Sequence, residues 1–463
     1  MIKGKSILFF CLALLAFYGH AIRSGQKPNI VVIFCDDLGY GDLGCYGSLW
    51  NQTPEIDKMA IEGVKFTDFY SGAPVCTPSR AGLMTGCYSR RVDMDLSAKN
   101  QWVLFPIEKK GINPSEEILP EMLKQSQYAT AIIGKWHLGD QPEFFPTRHG
   151  FDYWFGIPYS NDMERGKNPP LPLMRNEAVI EQCATQKEFD QSTLTKRYTE
   201  EAINWMEKNK ENPFFLYLAH TMPHNPVAAR PEFYHKTNNP QAGFGASVAE
   251  ISWSTGEILA FLKRNDLDKN TLVIFTSDNG GAPRRGASNG ILKGAKGKVD
   301  EGGIRVPCIA RWPGKIDAGT KCYAPASVID FYETFSKLAG VTTDSSIKRD
   351  GKDISDYLFN PEREREDRPF YYWHNGYLRA IRYGKWKIRL TGPFTKETEI
   401  VLYNLHTDPG ETTNRAFENP EIVDKLIALA KQERKVLGEM DIYGNEVRKT
   451  IRVSDPKPLL KKS

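Results

Sequence analysis

Ile30-Val31-Val32-Ile33-Phe34-Cys35-Asp36-Asp37 is an unbroken apolar run that ends in two adjacent carboxylates. Apolar, β-branched and aromatic residues without alternation suit a strand buried on both faces, as in a parallel sheet. Three more stretches repeat the pattern. Ala129-Thr130-Ala131-Ile132-Ile133 leads into Gly134-Lys135-Trp136-His137-Leu138-Gly139, and Phe214-Phe215-Leu216-Tyr217-Leu218 leads into His220 and His224. Leu272-Val273-Ile274-Phe275 leads into Ser277-Asp278-Asn279-Gly280. Helices are predicted between these runs, from Pro114 to about Gln125, from Leu194 to Lys208 and from Phe244 to Leu262. Strand–helix alternation of this kind predicts an α/β fold. Open α/β sheets gather ligands at the carboxyl ends of their strands. All four runs carry their unusual polar residues there, so the residues are expected to converge on one site.

The pattern changes after about residue 345. The charged segment Pro361 to Pro369 reads as a linker. Short aromatic-rich runs follow: Phe370-Tyr371-Tyr372-Trp373, Leu378 to Arg382, Trp386 to Leu390 and Ile400 to Tyr403, with Gly376, Gly384 and Gly392 between or beside them. They predict a small antiparallel meander, with an amphipathic helix from Ile422 to Leu437 covering one face. A chain of 463 residues exceeds one compact core of usual size. The expected organisation is a signal segment at 1–21, a large domain at 22–360 and a subdomain at 361–463.

Lys3 and Lys5, the apolar run Ile7 to Tyr18 and the small residues around Gly19-His20-Ala21 read as a cleavable export signal. The run is short for a membrane span, so no stable span is expected after cleavage, an uncleaved anchor being the alternative. Net charge is +4, which gives no support for a nucleic-acid partner and does not oppose an anionic substrate. Setting Cys11 and Cys76 aside leaves Cys35, Cys45, Cys87, Cys183, Cys308 and Cys322, an even set that permits disulfides without fixing their pairing.

Cys76-Thr77-Pro78-Ser79-Arg80 precedes Ala81-Gly82-Leu83-Met84-Thr85-Gly86. Pro78 suits the first turn of a helix, which puts Cys76 just before a helix N-terminus, where an anion is stabilised. Arg80 could reach back one turn to it. A buried structural cysteine beside a surface arginine is the plainer alternative. Asp36-Asp37 and Asp278-Asn279 offer four hard oxygen donors, suited to Ca²⁺ or Mg²⁺. Either pair alone would also serve as turn or cap residues. Lys135 and His137, two apart after a strand, and Lys296 in a Gly-rich loop add cations, and cations around a divalent metal describe a site for an oxyanion.

Taken in order, several blocks resemble the type I, formylglycine-dependent sulfatases over roughly residues 27–415. They are Asp36-Asp37, Cys76 to Gly86, Gly134 to Gly139, Gly156-Ile157-Pro158-Tyr159-Ser160, Ser277 to Gly280 and Glu301 to Pro307. Arg382 to Lys387, Leu402 to Leu405 and Asp408-Pro409-Gly410-Glu411 complete the set. The resemblance is closest to the arylsulfatase A and N-acetylgalactosamine-6-sulfatase branch. It implies an alkaline-phosphatase-like fold: a large mixed, mostly parallel sheet flanked by helices, plus a small C-terminal antiparallel sheet with a helix. It implies that a maturation enzyme converts Cys76 to formylglycine (3-oxoalanine). Asp36, Asp37, Asp278 and Asn279, with modified residue 76, match the ligands of a divalent metal, Ca²⁺ ahead of Mg²⁺. Arg80 matches the arginine that holds the formylglycine hydrate, and His137 the histidine beside it. Lys135 and Lys296 match the sulfate-binding lysines, Ser160 a sulfate-contacting serine and His224 the general acid.

The implied reaction is attack on sulfur by one hydroxyl of the hydrate, protonation of the leaving alcohol by His224 and proton loss from the second hydroxyl to His137. The implied substrate is a sulfated carbohydrate. A phosphonate or phosphodiester hydrolase keeps the same fold, and a non-catalytic binder of sulfated glycan would result if Cys76 stays a thiol. Two positions depart from the family pattern: Cys87 stands where an arginine is usual, and Ser252 where an aspartate is common.

Overall fold

In the computed structural model, residues 27–183, 190–364, 367–390 and 400–461 are described. The predicted signal segment, with Cys11, lies outside them. The four apolar runs form adjacent parallel strands. Asn29–Cys35 pairs with Phe214–Ala219 on one side and Thr271–Ser277 on the other, so that Val32 lies level with Tyr217 and Ile274. Ala129–Gly134 continues the sheet beyond Phe214–Ala219, and Tyr153–Gly156 adds a fifth parallel strand. The flanks turn antiparallel, through Cys308–Arg311 at one side and Leu171–Arg175 with Ala178–Cys183 at the other. The described sheet has ten strands, mixed and parallel at its centre.

Its core residues explain the unbroken apolar runs. Ile30, Val32 and Phe34 face Ala81, Leu83, Leu119 and Phe331, whereas Val31, Ile33 and Cys35 face Leu194, Tyr198, Val248 and Ile251. Successive side chains of a strand point to opposite faces, and helices cover both faces here, so no position is left for a polar residue. Each such side chain contributes roughly 1.5–3 kcal/mol by leaving water. The covering helices Leu194–Asn209 and Ala242–Arg264 match the predicted spans closely.

The helix expected from Pro114 is shorter, Leu119–Lys124. Asn113 Oδ1 accepts from the Ser115 backbone N–H at 3.0 Å and forms a turn instead. The helix starts only where Pro120 can occupy its first turn and the Glu121 carboxylate can accept from the Ile118 N–H at 2.8 Å. Ser252 serves as a cap, its Oγ accepting from the Glu55 N–H of the helix Pro54–Ile61 at 3.1 Å. Cys87 Sγ lies 3.4 Å from the Arg448 guanidinium. Cys35, Cys45, Cys76, Cys87 and Cys308 form no disulfide among the described residues. No helix among the described residues is long and apolar enough to cross a membrane.

The second sheet is the predicted meander. Pro369–His374, Tyr377–Tyr383, Trp386–Arg389 and Val401–Asn404 pair antiparallel in chain order. Pro369 opens its first strand, so the expected linker ends inside the sheet. The helix Pro420–Leu437 sets Leu426, Ala430 and Leu437 against Ile381 and Ile388. The chain then returns to the large sheet's side, where Asn113 Nδ2 donates to the Lys449 carbonyl at 2.9 Å.

The two sheets meet through buried charge. Lys387 Nζ lies 2.8 Å from Glu301 and 3.0 Å from Glu411, and donates to the Val299 carbonyl at 2.8 Å. The Glu411 carboxylate also accepts from the Glu301 backbone N–H at 2.7 Å. Burial alone would raise the Glu301 carboxyl, but Lys387, Arg305 and Arg382 hold it down at about 2. Breaking one side of such a pair leaves an uncompensated buried charge. Lys387→Met is therefore expected to lower the unfolding free energy by about 3–5 kcal/mol, read by denaturant titration; an unchanged midpoint would refute this account of the interface.

Candidate active site

Asp36 and Asp37 follow the strand Asn29–Cys35 directly, and Asp278 and Asn279 follow its neighbour Thr271–Ser277. In-register parallel pairing of Cys35 with Ser277 brings the two pairs side by side. The Asp37 N–H donates to Asp278 Oδ1 at 3.2 Å, and Asn279 Nδ2 donates to Asp37 Oδ1 at 2.8 Å. Asp37 takes a left-handed φ of 67°, a conformation an aspartate tolerates better than most residues. All four residues are buried.

Three cations oppose this charge. Arg80 holds Asp278 Oδ2 through Nε at 3.1 Å and Nη2 at 2.8 Å, and donates to the Lys135 carbonyl at 3.0 Å. Lys135 Nζ lies 2.5 Å from Asp36 Oδ2 and 3.1 Å from Ser160 Oγ. Lys296 Nζ lies 2.6 Å from Asp37 Oδ1. Lys135 reaches the site because Gly134 ends its strand at φ 121°; a Cβ there would lie 1.7 Å from the Ala219 carbonyl oxygen.

Burial would push the Asp36 carboxyl up, yet Lys135, His224, Arg80 and Lys296 hold it well below the usual carboxylate range. Asp278 goes the other way, to about 7, through burial and the Asp36 charge despite Arg80. Burial lowers His224, and Lys296 lowers it further. The His137 ring is likewise lowered, by burial and then Lys135. Burial raises the Cys76 thiol, while Lys135 and Lys296 pull against that rise.

Cys76 is the first residue of the helix Cys76–Thr85, one position further in than expected, with Pro78 third. Its N-terminus faces a cavity of about 560 Å³ lined by Cys76, Ser160, His224 and Lys296. The Arg80 guanidinium, one turn on, takes the Asp278 carboxylate, a strong partner for a buried cation. His224 Nδ1 meets Asn161 Oδ1 at 2.9 Å, and its Nε2 lies 3.5 Å from Ser160 Oγ and 3.8 Å from Asp37 Oδ2. His137 Nε2 meets the Leu104 carbonyl at 2.9 Å, and its Nδ1 is buried without a partner.

The structure thus gathers Asp36, Asp37, Cys76, Arg80, Lys135, Ser160, His224, Asp278, Asn279 and Lys296 around one point, with His137 beside Lys135. His220 stays apart, its Nε2 3.3 Å from Ser254 Oγ. Asn161, which orients His224, was not foreseen; its place directly after Ser160 was the available signal. Arg165, Arg284 and Arg285, also on the cavity, were not foreseen either.

A divalent cation fits these residues. Asp36 Oδ1 and Asn279 Oδ1 are buried without a hydrogen-bond partner, and two hard oxygens in that state match the needs of Ca²⁺ or Mg²⁺. Ligand atoms of Asp36, Asp37 and His224 lie within 4.8 Å of one another.

The mixed, centrally parallel sheet, with buried carboxylates and cations gathered at its strand ends, has the alkaline-phosphatase-like architecture. The sulfatase family profile matches residues 28–341, and the profile described as N-sulphoglucosamine sulphohydrolase, C-terminal, matches residues 296–436. The chain belongs to the sulfatase family and is a sulfuric ester hydrolase. N-acetylgalactosamine-6-sulfatase of Mus musculus is 35% identical, covering 88% of this chain and 85% of that protein. Steryl-sulfatase of Mus musculus is 31% identical, over 88% and 82%. The solved structure of "Ps i-CgsB in complex with k-i-k-neocarrahexaose" is 30% identical, with a TM-score of 0.78 over 88% of this chain and 93% of that one.

A cation that binds only the folded chain raises its stability, by about 2.7 kcal/mol at a hundred times Kd. Added Ca²⁺ is expected to raise the thermal midpoint, a chelator to reverse this and Asn279→Ala to abolish the response. An identical response in Asn279→Ala would remove Asn279 from the metal site.

Proposed function

We propose that this enzyme hydrolyses a sulfate monoester on a sulfated carbohydrate, with residue 76 carried as formylglycine. The observation that carries the reading is the convergence of Cys76, Ser160, His224 and Lys296 on one cavity, with Lys135 hydrogen-bonded to Ser160 behind it and the carboxylate cluster alongside. The carbohydrate substrate is supported by a relative named for a 6-sulfated amino sugar and by a structural neighbour solved with an oligosaccharide.

Asp36, Asp37, Asp278 and Asn279, with residue 76, would hold the divalent metal, Ca²⁺ ahead of Mg²⁺; when bound, it neutralises charge on the ester's sulfate. The formylglycine hydrate supplies the attacking hydroxyl. Lys135 and Lys296 bind sulfate oxygens as the ester enters, turning from their carboxylates, and Ser160 donates beside them. Arg80 holds the Asp278 carboxyl against the strand ends and so fixes the start of the Cys76 helix there.

The two histidines divide the proton work. Asn161 Oδ1 accepts a hydrogen bond from His224 Nδ1–H, so Nε2 faces the reacting group. A protonated Nε2 gives its proton to the leaving alcohol, and the incoming sulfate charge offsets Lys296, which otherwise disfavours that form. His137 Nε2–H donates to the Leu104 carbonyl, leaving Nδ1 as the free base. Nδ1 accepts the proton that leaves residue 76 when sulfate is released. Residues 22–360 carry every one of these groups, and 361–463 forms a supporting subdomain. The chain is exported through residues 1–21.

Protein co-produced with a maturation enzyme tests the reading against 6-sulfated and 4-sulfated sugars, an aryl sulfate and a matched phosphate ester. Sulfate release from a sugar, well above phosphate release, is expected; preferential phosphate release would overturn it. Cys76→Ser lacks the second hydroxyl, so at most one turnover per site is expected in a stopped assay. Multiple turnover at the wild-type rate by that variant would overturn the formylglycine reading, as would an unmodified thiol at residue 76 in active enzyme, read by peptide mass.

A further inference from the structure

The cavity above residue 76 has an outer part that the reaction does not use. Its rim carries Arg165, five residues after Ser160, and Arg284 and Arg285, in the short turn Pro283–Arg285 that follows the Asp278-Asn279 pair. All three side chains are exposed and line the same cavity as Lys296. None of the three forms an ion pair among the described residues. Several arginines elsewhere in the chain behave differently: Arg305, Arg311 and Arg382 hold carboxylates at 2.6–3.0 Å. Among the described residues a single carboxylate, Asp162, lines the cavity with them. Three guanidinium groups and Lys296 lining one cavity give it a positive field that an anion would balance. Their planar forks suit a carboxylate or sulfate held by paired hydrogen bonds.

Trp102 completes this outer part. Its ring is 49% exposed and lies over Gly297, where an added Cβ would meet it at 3.1 Å. His374, from the second sheet, flanks the ring at 5.9 Å between centroids. An exposed indole fixed beside a cation cluster is a flat apolar face for a sugar ring, with charge recognition next to it.

We infer that Arg165, Arg284, Arg285 and Trp102 form a second, anion-reading subsite, which selects glycans bearing another negative group on or next to the sugar being desulfated. This rests on the carbohydrate sulfatase reading and narrows it from sulfated carbohydrates in general to polyanionic ones. The negative group is a second sulfate or a uronate carboxylate, which share oxyanion chemistry. The arginines touch the substrate away from the reacting ester, so they set specificity rather than the chemical step.

Matched substrates separate the cases. One pair is a disaccharide of glucuronate and 6-sulfated N-acetylgalactosamine, and its counterpart with glucose in place of glucuronate. A second pair is 6-sulfated and 4,6-disulfated N-acetylgalactosamine. The anionic member of at least one pair is expected to show a tenfold or greater advantage in kcat/KM at low salt, shrinking as salt screens the rim. In Arg284→Gln/Arg285→Gln the ratio within that pair is expected to fall toward one. The pair that shows the advantage distinguishes carboxylate from sulfate. A ratio near one in the wild type, or one that the double variant leaves unchanged, overturns the subsite. If no sugar is desulfated, the carbohydrate reading fails and the subsite is judged by binding. The unsulfated glucuronate disaccharide must then bind the wild type in a salt-sensitive way, and at least tenfold more weakly the double variant, by calorimetry. Absence of that binding overturns the subsite. An unchanged thermal midpoint in the double variant, whose altered side chains are exposed, shows that its fold is intact.

Discussion

Three carboxylates buried at the ends of two adjacent strands repel one another, and the architecture around them answers that repulsion. Asp36, Asp37 and Asp278 are each met by a cation from a different part of the chain: Lys135, Lys296 and Arg80. The parallel pairing of the strands sets the carboxylates together, and the helix that begins at Cys76 brings Arg80 to them. The glycine turn after Ile133 delivers Lys135. Acids and bases in such proximity cannot all relax at once, as the opposite displacements of Asp36 and Asp278 record. Under the proposed function, a metal and an anionic ester would take the place of these internal ion pairs.

Much of the fold was legible in the chain because burial on both faces removes polar residues from a strand altogether. Ile30 to Phe34 and Leu272 to Phe275 could hardly be anything else, and abrupt polar endings marked where the sheet meets solvent or ligand. The meander was legible for a different reason: Gly376 and Gly384 separate its strands where the chain needs positive φ. The helix from Pro114 was misjudged because acidic residues resemble a helix start whether or not an upstream asparagine ties down their backbone. Asn113 does so here.

The site was legible in its members but less so in its contacts. Motif order supplied Asp36, Cys76, Lys135 and His224, yet the partner of each depended on distance in space. The bond from Arg80 to Asp278 had no sequence signal, since it joins residues 198 apart in the chain. Asn161 escaped notice because an asparagine beside a serine has no pattern of its own. The rim arginines have no pattern for the same reason: exposed arginines are common, and only the fold shows that three line one cavity.

The buried contact of Lys387 with Glu301 and Glu411 has a bearing on how this architecture can change over generations. It grips the segment that runs from Val299 to Glu301, just beyond Lys296. The smaller sheet is therefore no detachable appendage whose surface can drift independently. A lineage that acquired a new smaller sheet by recombination would inherit a loosened Lys296 at the same stroke. Segments outside this contact, among them the turns bearing Arg165, Arg284 and Arg285, carry no such constraint. Those turns are free to vary while the ester-cleaving centre stays fixed.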